Sequence, residues 1–289
     1  MNCSDDFFER ASHLVSRLED LFGKNTTDEL SDATAWRWRK AANGDYLQAI
    51  KEFDSITLKD LLFIDHQKKV IERNTKQFLE GLPANNVLLW GPRGIGKSSL
   101  IKALFNDYAE KGLRLIEVER THLIDLPEIL SKLKKQAHRY LIFCDDLTFD
   151  GHDTSYRTLK TVLDGSILST SNTIIYATSN RRHLLPEYVS DNSQSRIDNN
   201  ELHHSEAVEE KISLSERFGI WLSFHPYKQD SYLDIVEHWL KLLDSEITLS
   251  DIKSTKNLAL QWALQRGSRS GRTAYQFARD WIGQKKLGT

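Results

Sequence analysis

Residues 91–98 read GPRGIGKS, a match to the pattern G-x-x-x-x-G-K-[ST], and they sit between the apolar run NVLLW and the helical run SLIKALFNDYAEK. That context confirms a phosphate-binding loop, because the strand, the loop and the helix must follow one another for backbone N–H groups to converge on an anion. Gly91, Gly94 and Gly96 let the chain fold so that successive N–H groups point inward, and the following helix presents its positive end. The expected phosphate cradle comprises Gly91, Pro92, Arg93, Gly94, Ile95, Gly96, Lys97, Ser98 and Ser99. Lys97 is placed to reach the β- and γ-phosphates of a nucleotide, and the Ser98 hydroxyl to ligate magnesium.

Further strand-like runs follow the loop: LRLIEV at 113–118, YLIFC at 140–144, TIIYAT at 173–178 and IWLSF at 220–224. Each is short and apolar on both faces with helical patterns between most of them, which is the pattern of a parallel sheet covered by helices. Upstream, residues 58–82 carry helical spacing closed by Gly81 and Pro83. Beyond Pro226, DSYLDIVEHWLKLL, STKNLALQWALQ and RTAYQFARDWIG each bear an apolar stripe, predicting a helical lid. The fold class is therefore α/β, a five-stranded parallel sheet covered by helices with a small C-terminal all-helical lid. Its expected divisions are an N-terminal appendage at 1–55, a nucleotide-binding core at 56–227 and the lid at 228–289. The stretch 186–211 is polar and reads as a long exposed loop.

Chemistry beyond the loop concentrates at strand ends. YLIFCDD places Asp145 and Asp146 at the C-terminal edge of a strand, where open α/β sheets bind ligands. Asp145 suits the magnesium and Asp146 the attacking water. TIIYATSN ends on Asn180, an amide able to hydrogen-bond water and phosphate without adding charge. Arg217 in SLSERFG, and Arg269 and Arg272 in GSRSGRTA, offer permanently charged planar forks for phosphate.

In chain order GPRGIGKS, FCDD, YATSN, SERFG and GSRSGR resemble the Walker A, Walker B, sensor 1, arginine-finger and sensor 2 motifs of AAA+ ATPases, over residues 58–289. More narrowly, GLPANNVLLWG, FCDDLTFD, SNRRHLLPE, EAVEEKISLSERFG and WLSFHP resemble the bacterial domain-of-unknown-function 815 family of ATP-binding proteins. The resemblance implies a five-stranded core with strand order 5-1-4-3-2, a helical lid, and self-association into a ring or spiral, but no cellular role. The leading reading of the motifs is an ATPase that binds ATP with Mg2+ and moves an unknown protein or nucleic-acid client. The resemblance departs at one point: Asp146 stands where the AAA+ pair has Glu, so its carboxylate is retracted by about one bond length, enough to slow hydrolysis. A switch or loader with little hydrolysis is the alternative to a remodelling motor. A small-molecule kinase is disfavoured by the lid pattern.

Composition narrows partners. With 39 basic and 41 acidic residues in 289 the formal charge is -2, so no global field draws the chain to nucleic acid or anionic lipid. No apolar run approaches the ~20 residues of a bilayer span, and MNCSDDFFER lacks the order of a secretory signal; a cytoplasmic protein is expected. WRWRK at 36–40 interleaves aromatic and basic groups as single-strand binders do, but its alternation also makes a strand with Trp36 and Trp38 packed inward, the favoured reading. Asp150, His152 and Asp153 read as a solvated loop in preference to a metal site, and His203 and His204 as surface residues.

Overall fold

A computed structural model describes residues 33–41, 44–51, 53, 55–149, 155–165, 171–182, 184, 196–198, 201–203 and 214–288. The five expected strands are all present: β3 (Val87–Trp90), β4 (Leu113–Glu117), β5 (Arg139–Cys144), β6 (Thr173–Ser179) and β9 (Ile220–Ser223). They lie in the order β4-β5-β6-β3-β9 and pair in parallel, which is the expected 5-1-4-3-2 read from the other edge. Two strands more extend the sheet to seven. Residues expected as an appendage supply them: β1 (Ala35–Arg39) runs parallel to β4, and β2 (Tyr46–Ala49) runs antiparallel to β1.

The side chains explain why β1 joins the sheet. Trp36 and Trp38 point to one face and are 0% exposed, in a core with Ile142, Ile175 and the helices α3 (Leu126–Leu133) and α4 (Ser155–Leu163). Trp38 Nε1 donates to Asp125 Oδ2 at 3.2 Å. On the other face Arg37 pairs with Glu117 at 2.7 Å. Truncating a buried Trp costs about 3–5 kcal/mol, more than the ~1–3 kcal/mol that a stacked base returns. The packed state therefore wins over a single-strand platform.

The opposite face of the sheet carries a second core. Leu89, Leu141 and Tyr176 meet Ile71 and Phe78 of α1 (Asp65–Leu79), and Leu100, Leu104 and Phe105 of α2 (Lys97–Tyr108). The expected lid is three helices, α5 (Gln229–Leu243), α6 (Leu249–Gln265) and α7 (Gly271–Leu287), around Tyr232, Ile235, Leu240, Ala263 and Phe277. The polar stretch 186–211 lies outside the described residues save for the backbones of β7 (Arg196–Asp198) and β8 (Glu201–His203), an antiparallel pair. Asp150, His152, Asp153, His204 and the His203 side chain also lie outside them.

Candidate functional site

The parallel register assembles the site. Cys144 pairs with Ala177 and Trp90 with Ser179, so one residue further on Asp145 lies beside Thr178, and Gly91 beside Asn180. The crevice outside these strand ends is where open α/β sheets bind ligands, and a cleft of about 630 Å3 opens there.

The loop enters the cleft with little freedom. Gly91 has φ 143, and a Cβ on it would stand 2.3 Å from the Phe224 carbonyl oxygen, so only glycine fits. A Cβ on Gly94 would stand 2.9 Å from Ser270 Oγ, and Arg272 N donates to the Gly94 carbonyl at 3.0 Å. The lid thus rests directly on the loop. Arg93, Gly94, Gly96, Lys97, Ser98 and Ser99 line the cleft. Ile95 instead anchors the loop in the core at 2% exposure, with its carbonyl taken by Tyr227 Oη at 3.1 Å.

Lys97 begins α2, whose N-terminus faces the cleft. Its ammonium donates to the carbonyls of Gly91 and Pro92, each at 2.7 Å, and to Asn180 Oδ1 at 3.1 Å. Burial pushes its pKa down to about 8; Asp146 and Asp145 oppose that shift, while Arg272 and Arg93 add to it. All three direct partners of this buried ammonium are neutral oxygens, an arrangement able to take an anion such as a phosphate.

Ser98 Oγ donates to Asp145 Oδ1 at 2.6 Å, and Thr178 Oγ1 donates to the same oxygen at 2.5 Å. Hydroxyl and carboxylate oxygens at the mouth of a phosphate cradle are the hard donor set that magnesium prefers, with water and phosphate completing its shell. The residues present fit the ion. Asp146 has φ 50, a left-handed backbone that Asp tolerates better than most residues, which gives a local reason for the short carboxylate there. Its N–H donates to Thr178 Oγ1 at 2.9 Å, Asn180 Nδ2 donates to its Oδ1, and Arg93 Nη2 lies 3.4 Å from its Oδ2.

Of the arginines, Arg272 lines the cleft, whereas Arg217 and the exposed Arg269 are not among its lining residues. Arg217 pairs with Asp164, just past α4. Sequence reasoning missed Thr178, Tyr227 and the far end of the cleft, where Ile56, Leu61 and Leu62 face Trp239 and Tyr275 from the lid. Thr178 could have been found from strand alignment, one step beyond the Cys144 partner; the others are apolar residues that no motif marks.

Sheet order, the loop at the head of α2 and the helical lid together give the chain an AAA+ P-loop fold. The chain belongs to the family described as "Protein of unknown function (DUF815)", which matches residues 31–285. Among solved structures it is similar to the Holliday junction branch migration motor RuvB of Thermotoga maritima, at 16% identity and TM-score 0.51, covering 80% of this chain and 65% of that one. It is also similar to the Aeropyrum pernix ORC1 protein in complex with DNA, at 14% identity and TM-score 0.51, covering 78% of this chain and 61% of that one. At such identity these likenesses show the fold, and the chain spans somewhat less than two thirds of each relative. Among the described residues no helix is long and apolar enough to cross a membrane.

Proposed function

We propose that the chain binds Mg-ATP in this cleft and hydrolyses it, and that hydrolysis ordered between neighbouring copies in a ring or spiral remodels or moves a macromolecular client. The observation that carries the reading is the meeting of the Lys97–Asn180 and Ser98–Asp145 hydrogen bonds on one cleft wall. In this reading the loop N–H groups cradle the phosphates, and Lys97 exchanges a carbonyl for phosphate oxygen. Ser98 and Asp145 hold magnesium, which when bound neutralises charge on the phosphates. Asp146 accepts the proton of the attacking water, and Asn180 aligns that carboxylate. Arg272 brings the lid onto the phosphates, while Arg217, which pairs with Asp164 and does not line its own cleft, serves that of a neighbour. The client is a protein or a nucleic acid; the two compared proteins are a branch migration motor and a protein solved with DNA. The division into core (56–227) and lid (228–289) fits this use of the lid.

One observation favours the second reading, a nucleotide-controlled switch or loader. Both Asp146 oxygens are engaged, by Asn180 and Arg93, and the carboxylate is shorter than that of Glu. Steady-state ATPase measurement separates the readings: sustained magnesium-dependent turnover supports the motor, and tight ATP binding without it supports the switch. Asp146→Asn should lower single-turnover hydrolysis about 10²–10⁴-fold, the usual contribution of a general base, while binding Mg-ATP. Equal rates for variant and parent would remove Asp146 from the mechanism.

A further inference from the structure

The pattern G-x-x-x-x-G-K-[ST] leaves its third position free, and here that position is Arg93. Four side chains form one line across the cleft. Lys97 Nζ donates to Asn180 Oδ1 at 3.1 Å, Asn180 Nδ2 donates to Asp146 Oδ1, and Arg93 Nη2 reaches Asp146 Oδ2 at 3.4 Å. Both ends of the line are cations on the phosphate loop. Its centre is the carboxylate assigned to the attacking water.

An ammonium has three N–H donors, and those of Lys97 are all engaged, so it must release a partner to reach a phosphate. Arg93 and Asp146 have side chains 75% and 52% exposed; a pair in that setting is screened and readily exchanged. Phosphate oxygens carry more charge than one carboxylate and match the guanidinium fork. The loop amides cradle the inner phosphates, and the attacking water must stand in line with the third. Asp146, with Arg93 beside it, therefore belongs at the third-phosphate end.

We propose that Arg93 is a positioning residue that makes the freedom of Asp146 depend on the third phosphate of the nucleotide. With a diphosphate bound, Arg93 keeps Asp146 Oδ2. A third phosphate draws Arg93 away, and the carboxylate becomes free to take a water proton. This rests on the reading of the cleft as a Mg-ATP site and adds that the site distinguishes ATP from ADP through a loop side chain.

Calorimetric titrations of Mg-ADP and of magnesium with the non-hydrolysable β,γ-imido analogue of ATP test it, on the parent, Arg93→Gln, Asp146→Asn and the double variant. Circular dichroism serves as the fold control. Arg93→Gln should weaken the analogue by about tenfold, the size of one hydrogen bond to a charged group, and leave ADP unchanged; Arg93→Lys should recover part of the loss. Asp146→Asn should tighten the analogue in the parent, because no pair need be broken, and most of that gain should vanish in the Arg93→Gln background. The inference is overturned if Arg93→Gln shifts both nucleotides equally. It is equally overturned if the Asp146→Asn gain persists without Arg93, since that marks plain repulsion between carboxylate and phosphate. Binding of neither nucleotide by the parent overturns the cleft reading and this inference with it, whereas binding of both with the wrong pattern overturns the inference alone.

Discussion

The Ser98 hydroxyl donates to Asp145 Oδ1 at 2.6 Å, tying the first turn of α2 to the end of β5 across the mouth of the cleft. The same two oxygens are the ones assigned to magnesium. Ser98→Ala should therefore weaken the magnesium requirement of nucleotide binding without abolishing the cradle. The affinity gained on adding magnesium should fall by about tenfold, equivalent to one charge-assisted hydrogen bond, while affinity in chelator stays near that of the parent. Calorimetry with and without magnesium measures both, and an unchanged magnesium effect would take Ser98 out of the ion's shell.

Gly91 is the loop position with least tolerance, having φ 143 and the Phe224 carbonyl oxygen 2.3 Å from where a Cβ would stand. Gly91→Ala should destabilise the fold by at least the ~1–3 kcal/mol of a residue forced into a glycine-only conformation. It should also displace the carbonyl that holds Lys97 and so weaken nucleotide binding. Chemical denaturation checks the first outcome and nucleotide titration the second.

How far the sequence could be read depended on the reach of each signal. The loop, its strand and its helix are contiguous, so spacing alone located Lys97 and Ser98. Asp145, Asn180 and Arg272 were legible because each stands where an element begins or ends. The pairing of β1 with β4 was not legible, because Trp36 meets Ile116 eighty residues away and alternation says nothing of partners. Nor could the sequence place Arg93 on Asp146, a contact made only when the loop and the end of β5 are brought together. Trp239 and Tyr275 fall in runs whose apolar stripes predict only a lid, and one helical stripe can serve both the lid interior and the cleft.

The lid offers a pH test. Asp251 caps α6 by accepting from Thr248 N at 2.9 Å and Thr248 Oγ1 at 2.7 Å, and it pairs with Lys285 at 2.7 Å. Lys285 and then Thr248 hold its carboxyl down at about 2, against an ordinary 3.8. For a depressed carboxylate the stabilisation is complete above the ordinary value and is lost as pH falls through the depressed one. The melting temperature of the parent should exceed that of Asp251→Asn by a constant margin above about pH 4, and the margin should shrink toward pH 2. A margin independent of pH would exclude the carboxylate charge as its source.

Arg217 pairs with Asp164 and does not line its own cleft, so its proposed work is on a neighbouring copy. Arg217→Ala should lower turnover by about 10³–10⁵, the measured range for such arginines, with little change in ATP binding. Mixing Arg217→Ala with Asp146→Asn should restore activity, because one composite site then holds both intact groups. A mixed oligomer without rescue, or a fully active monomer, contradicts the trans assignment.

The central claim, a Mg-ATP site built around Lys97, is tested most directly by titrating Mg-ATP into the parent and into Lys97→Ala. In the proposed reading Lys97 serves phosphate charge; its ammonium meets three loop and strand-end acceptors, and because the side chain is buried the fold is checked beside the binding. The account predicts saturable one-to-one binding by the parent and little or none by the variant, with matching circular dichroism spectra. Binding of Mg-ATP by folded Lys97→Ala as tight as that of the parent would contradict it.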